Sequence, residues 1–137
     1  MKDQFGREID YLRISVTDLC NLRCRYCMPM EGIPKREHRE ILSIEEIEEI
    51  GIAAANCGIK KIRVTGGEPL VRRGILEICE KLSKIPGVRE LCLTTNGALL
   101  SKFAQELRDA GVSRLNISLD TLNAERYREI TRVGQLE

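Results

Sequence analysis

The chain has 137 residues, 42% of them hydrophobic, with 22 basic against 21 acidic side chains and a formal net charge of +1. That length and apolar content suit one domain with a real core and exclude a disordered chain. The charge balance gives no electrostatic case for nucleic acid or an anionic membrane surface, and no apolar run approaches the ~20 residues that span a bilayer.

In chain order, Met1 to Asp10 is charged and lacks the apolar stretch of a signal peptide, so a cytoplasmic setting is expected. Tyr11 to Thr17 reads as a strand, and a cysteine-rich loop follows it. Ser43 to Asn56 reads as a helix: Ser43 with Glu46 forms a capping box, and Ile44, Ile47, Ile50, Gly51 and Ala54 recur at helical spacing. Gly58 is its stop signal. Lys61 to Thr65 is a second strand ending on Gly66-Gly67, and a helix near Gly74 to Lys84 precedes a Pro86-Gly87 turn. Glu90 to Thr95 is a third strand, Leu99 to Ala110 a helix closed by Gly111, and Arg114 to Leu119 a fourth strand. A last short helix starts near Asn123, which can cap it.

This alternation predicts repeated βα units and a parallel α/β sheet, open or curled into a barrel. Side chains on a strand point to opposite faces in turn. Leu12, Ile14 and Val16 therefore oppose Arg13, Ser15 and Thr17, and Ile62 and Val64 oppose Arg63 and Thr65. Leu91 and Leu93 oppose Cys92, Thr94 and Asn96, while Leu115, Ile117 and Leu119 oppose Asn116, Ser118 and Asp120. Strands covered by helices on both faces read as continuous apolar runs. Here helices are expected on the apolar face only, with the polar face lining a cavity. Ligands of parallel α/β folds sit at the carboxyl ends of strands, which singles out Thr17, Thr65, Asn96 and Asp120.

Six cysteines in a chain with no export signal argue for metal ligands or small hydrophobes rather than disulfides. Cys20, Cys24 and Cys27 form C-x-x-x-C-x-x-C directly after the first strand. Three thiolates can wrap one metal centre, whereas a complete zinc or ferredoxin-type site takes four protein ligands. Three leave one iron of a cubane open to a chelating molecule. The alternative is a zinc loop completed by a remote ligand such as His38 or another cysteine. Cys57, Cys79 and Cys92 lack motif spacing and read as core fillers, and Met28 and Met30 as hydrophobic shielding around the loop. His38, Arg72 and Arg73 read as solvated.

The Cys20–Cys27 loop resembles the signature of the radical SAM superfamily. That resemblance implies a 4Fe–4S cluster held by Cys20, Cys24 and Cys27, with S-adenosylmethionine on the open iron and its reductive cleavage to a 5′-deoxyadenosyl radical. Tyr26 matches the family's aromatic position beside the cluster and the adenine, and Gly66-Gly67-Glu68-Pro69 matches the motif that meets the amino group of S-adenosylmethionine. "LRISVTDLCNLRCRYCMP" from Leu12, "IRVTGGEPLVRRG" from Ile62, "LTTNG" from Leu93 and "RLNISLDTLN" from Arg114 are similar, more closely, to the N-terminal half of the GTP-cyclising lyases that open molybdenum cofactor biosynthesis. By that similarity Arg13, Arg63 and Thr94 fall at GTP-binding positions, and Gly67 and Ser118, with Tyr26, at positions that bind S-adenosylmethionine. Arginines facing a cavity need an anionic partner, which a triphosphate supplies; the alternative is an ion pair with an acidic neighbour.

The resemblance also implies the radical SAM fold, a partial (βα)6 TIM-like barrel. Residues 1–137 would supply about four βα units of it, as an incomplete and truncated core. The lyase family carries a second 4Fe–4S cluster in its C-terminal half, a region absent here, so this stretch alone is expected to be inactive. GTP, S-adenosylmethionine and an electron donor are the implied partners, with a homodimer among the assemblies allowed. Two alternatives stand beside this: another radical SAM enzyme with a different substrate, and a non-catalytic iron–sulfur or zinc module.

Overall fold

A computed structural model of the chain describes residues 2–34 and 40–136. Four strands, β1 (Tyr11–Ser15), β2 (Lys61–Thr65), β3 (Glu90–Thr95) and β4 (Arg114–Ile117), alternate with α1 (Ile44–Asn56), α2 (Ile75–Ser83), α3 (Leu100–Asp109) and α4 (Ala124–Thr131). A short 3-10 turn, Pro69–Val71, sits between β2 and α2. The strands pair in parallel in the order β1-β2-β3-β4. Each strand lies beside its predecessor, as in barrel-type winding, whereas a doubly wound sheet reverses direction at a switch point. The parallel α/β expectation holds, with β1 and β4 each two residues shorter than the sequence suggested.

The first three strands behave as their alternation predicts. Ile14, Val16, Ile62, Val64, Leu91 and Leu93 are buried in one cluster with Ile47 of α1, Ile75, Ile78 and Leu82 of α2, and Leu107 of α3. Removing a side chain such as Leu82 or Leu93 from such a site costs ~2–5 kcal/mol, transfer and cavity together. The capping box of α1 forms in both directions: the Glu46 amide donates to Ser43 Oγ at 3.1 Å and the Ser43 amide to Glu46 Oε2 at 2.7 Å. Gly51 lets α1 lie close on its neighbours, since a Cβ there would come within 2.7 Å of Leu82 and Ile85. Ile50, one position before it, faces solvent instead of the core.

Two expectations about packing fail. Leu115, Ile117 and Leu119 were to lie under helices, yet they are exposed, Ile117 by 55%. β4 is the sheet edge, and α4 after it turns away to the cysteine loop instead of covering it. Cys57 is exposed rather than buried, because α1 ends at Asn56 and Cys57 caps it. Cys79 and Cys92 are buried as expected. Burial pushes the Cys79 thiol up to about 12. No helix among the described residues is long and apolar enough to cross a membrane.

Candidate functional site at the carboxyl ends of the strands

The loops after β1, β2, β3 and β4 meet at one end of the sheet. Gly66 and Gly67 are needed there for backbone contact. A Cβ on Gly66 would lie 2.4 Å from the Thr17 carbonyl oxygen, and one on Gly67 would lie 2.3 Å from that of Leu19. Gly66 also has φ +158, at the edge of the region L residues avoid. The Gly67 amide donates to the Thr17 carbonyl and the Glu68 amide to that of Leu19, both at 2.8 Å. The paired glycines thus admit the start of the cysteine loop itself.

Glu68 is the residue that motif reading passed over. Its side chain is almost wholly buried and accepts three hydrogen bonds: from the Leu70 amide at 3.0 Å, Thr95 Oγ1 at 2.7 Å and the Asn96 amide at 2.7 Å. One carboxylate therefore clamps the β2 turn to the end of β3. An acidic residue between two glycines and a proline, where it can cap the Pro69–Val71 turn, was the available signal.

The cysteine loop is held from several sides. Cys20 Sγ accepts from the Leu22 amide at 3.4 Å and from Asn96 Nδ2 at 3.8 Å. Asn96 Nδ2 also donates to Asn21 Oδ1 at 2.8 Å. The Cys27 and Met28 amides both donate to the Cys24 carbonyl, at 2.9 and 3.2 Å, closing a turn through the C-x-x-C pair. From the far end of the chain, the Thr131 and Ile130 carbonyls accept from the Arg23 and Arg25 amides, each at 3.0 Å. Leu22 packs against Gly134, where a Cβ would come within 3.0 Å of it. Thr17, buried, turns its hydroxyl to the Leu19 amide.

Tyr26 does not pack inward: it is 68% exposed and donates its hydroxyl to Asp120 Oδ2 at 2.8 Å. That bond to a carboxylate, with some desolvation, holds the phenol above its ordinary value of 10. The Cys24 thiol is raised first by burial, is lowered by a hydrogen bond with Tyr26, and is raised again by Cys27 and Cys20. Ser118, also exposed, gives its amide to the Thr95 carbonyl at 2.9 Å. Met30 is 71% exposed, and His38 lies outside the described residues.

On the polar face, β1 and β2 pair with Arg13 directly opposite Arg63. Like charges at opposed positions repel. Among the described residues neither takes part in an ion pair with an acidic neighbour. Arg63 instead donates Nε to the Tyr11 hydroxyl at 2.6 Å and Nη1 to Thr94 Oγ1 at 3.2 Å. The face is open to solvent at Arg13, Ser15, Asn116 and Ser118, so these strands alone do not close the expected cavity. Arg72 is tied rather than solvated, donating to the Leu42 carbonyl at 2.7 Å.

The radical SAM family profile matches residues 14–137. The chain belongs to the radical SAM superfamily. It is 60% identical over 135 residues to a GTP 3′,8-cyclase of Peptoclostridium acidaminophilum, a match covering 98% of this chain and 42% of that protein. A GTP 3′,8-cyclase of Pelotomaculum thermopropionicum is 60% identical over 136 residues, covering 99% and 42%. The chain thus spans about two-fifths of the length of these curated relatives. Streptococcus suis SuiB bound to S-adenosylmethionine is similar in structure, with a TM-score of 0.66 at 27% identity over 88% of this chain and 27% of SuiB.

Membership of the radical SAM superfamily implies a 4Fe–4S cluster and S-adenosylmethionine, and the donor set suits them. Thiolates are the ligands iron–sulfur clusters take. Among the described residues no group of three or more His, Cys, Asp or Glu side chains is placed to hold a metal ion. A complete zinc site takes four protein ligands, whereas three thiolates suit a cluster with one iron left open. All three loop cysteines are free of disulfides, and Cys27 is exposed.

Proposed function

We propose that the chain carries the cluster-binding and S-adenosylmethionine-binding part of a GTP 3′,8-cyclase. Such a lyase converts GTP to (8S)-3′,8-cyclo-7,8-dihydroguanosine 5′-triphosphate, the first step of molybdenum cofactor biosynthesis. The observation that carries the substrate reading is the register that sets Arg13 beside Arg63, on the same sheet face as Thr94. Two adjacent guanidiniums repel each other until an anion lies between them, and a triphosphate offers acceptors in suitable geometry. Tyr11 and Thr94 hold the Arg63 fork in place for it.

Cys20, Cys24 and Cys27 would hold the cluster. When bound and reduced, it supplies the electron that breaks a sulfonium C–S bond of S-adenosylmethionine. Tyr26, Gly67 and Ser118 would border that molecule. Asp120 fixes Tyr26, and Glu68 with Asn96 keeps the glycine turn against the cysteine loop. A second cluster, an electron donor, a homodimer and a cytoplasmic setting belong to the same reading for the longer protein.

The test is anaerobic reconstitution of the chain with iron and sulfide. About four irons per chain are expected, with 5′-deoxyadenosine formed under reduction. Bound zinc without cleavage would sink the reading. Residues 1–137 alone should not turn over GTP, and measurable conversion would overturn that part. In the longer protein, Arg63→Ala should raise KM for GTP about tenfold or more.

A further inference from the structure

We infer that Arg132 is a positioning residue for the cluster ligands, its guanidinium bracketing the C-x-x-C pair so that Cys24 and Cys27 present their sulfurs in one arrangement. This rests on the proposal that Cys20, Cys24 and Cys27 hold the cluster. Arg132 Nη1 donates to the Arg23 carbonyl at 3.1 Å and to the Met28 carbonyl at 2.9 Å. Arg23 immediately precedes Cys24 and Met28 immediately follows Cys27, so one nitrogen ties both ends of the ligand turn.

The backbone at Arg132 supplies an independent observation. With φ 65 and ψ −41, it is the one non-glycine residue at positive φ among those described. It caps α4, its amide donating to the Arg128 carbonyl at 2.8 Å. That φ/ψ pair is the γ-turn of positive φ, closed by the Val133 amide donating to the Thr131 carbonyl at 2.8 Å, a rare and strained turn that glycine enters more readily than any residue with a Cβ. An arginine in that place accepts strain that glycine would avoid. Such outliers persist where the surroundings over-determine them, and here the two carbonyls beside the cysteines do so.

Neighbouring contacts set the bracket rigidly. The Arg23 and Arg25 amides are paired with the Thr131 and Ile130 carbonyls, and Tyr127 and Thr131 are buried beneath. The Arg25–Glu129 ion pair at 3.2 Å is exposed and adds little. Groups one step removed from a metal centre typically change its affinity ~10–100-fold when lost, by letting the ligands wander.

Arg132→Gly separates the two roles of this residue, since it relieves the backbone while removing the bracket. The 137-residue parent, Arg132→Gly and Arg132→Lys are reconstituted anaerobically with iron and sulfide. Three readouts follow: iron loss to a ferrous chelator, the electron paramagnetic resonance of the reduced cluster with and without S-adenosylmethionine, and thermal unfolding of the apo chain. Arg132→Gly should lose iron about tenfold faster and show an altered resonance, while its apo unfolding midpoint is unchanged or higher. Arg132→Lys, which keeps the charge on a single ammonium, should fall between the two.

Parent-like iron retention and resonance in Arg132→Gly would overturn the inference. So would an apo midpoint that drops in step with iron loss, because the residue would then be merely structural. A parent that takes up no iron at all defeats the cluster proposal itself, which the parent-like result would leave standing.

Discussion

The loops after β1 and β2 are neighbours in the sheet and are built on opposite principles. The glycine turn after β2 is closed tightly around one buried side chain. Its backbone touches that of the neighbouring loop, and its one carboxylate, on Glu68, is buried with three donors satisfied. The cysteine loop after β1 is held from without, by Asn96 from β3 and by Arg132 and the Thr131 and Ile130 carbonyls from α4. Its thiols remain accessible, Cys27 most of all. On the proposed reading, a site that must admit a cluster needs one unyielding wall and one wall with open ligands, and the two turns would divide that work.

The largest contrast should appear in thiol chemistry. Cys27 is open, whereas Cys79 is buried in the core with its thiol pushed up to about 12. Alkylation of the apo chain near pH 8, read by mass spectrometry, should modify Cys27 at least about a thousandfold faster, since Cys79 must await unfolding. The sign of the pH effect follows from the raised thiol. Its contribution to stability is complete below the usual value of 9.0 and is lost as pH rises towards about 12, so the protection of Cys79 should shrink over that range. Equal labelling of the two would mean that the core is not formed.

Next come the glycine turn's own contacts. Gly67→Ala places a Cβ where the Leu19 oxygen stands at 2.3 Å, and backbone cannot yield as a side-chain tip can. A loss of about 3 kcal/mol in denaturant unfolding is expected. Glu68→Ala strands the Thr95 hydroxyl and two amides, for about 2–4 kcal/mol. Glu68→Gln keeps the shape and one acceptor oxygen and should cost roughly half as much. If all three variants unfold like the parent, the turn is not the rigid wall.

How much of this was legible in sequence follows from the range of each signal. The parallel βα order, the capping box at Ser43 and the buried faces of β1 to β3 are local or periodic, and the sequence shows them directly. The cysteine spacing and the glycine pair are likewise contiguous. What escaped was long-range. Glu68 was visible as a letter in a motif, but its partners at Thr95 and Asn96 lie in another βα unit. Arg132 sits more than a hundred positions from the carbonyls it holds, and nothing in the run after Thr131 marks a positive φ on an arginine. The β4 error has the same root, since alternation tells which face is apolar and is silent on whether a helix arrives to cover it.

Smaller in stability, and most telling for the contrast, are changes to the outer loop. Asn96→Ala removes neutral hydrogen bonds to Asn21 and from the Ala98 amide and a weak one to Cys20 Sγ, for about 1–2 kcal/mol. Cys24→Ser and Cys27→Ser should shift apo stability by less than about 0.5 kcal/mol, because neither thiol is part of the hydrophobic core. Iron uptake in the same two variants should collapse, as serine does not replace a soft thiolate on iron. A residue that is nearly free to change for the fold and indispensable for the metal is what a ligand on an open wall requires. Should Cys24→Ser instead unfold the apo chain by several kcal/mol, the cysteine loop would be a structural wall like its neighbour, and the division of labour between the two turns would be lost.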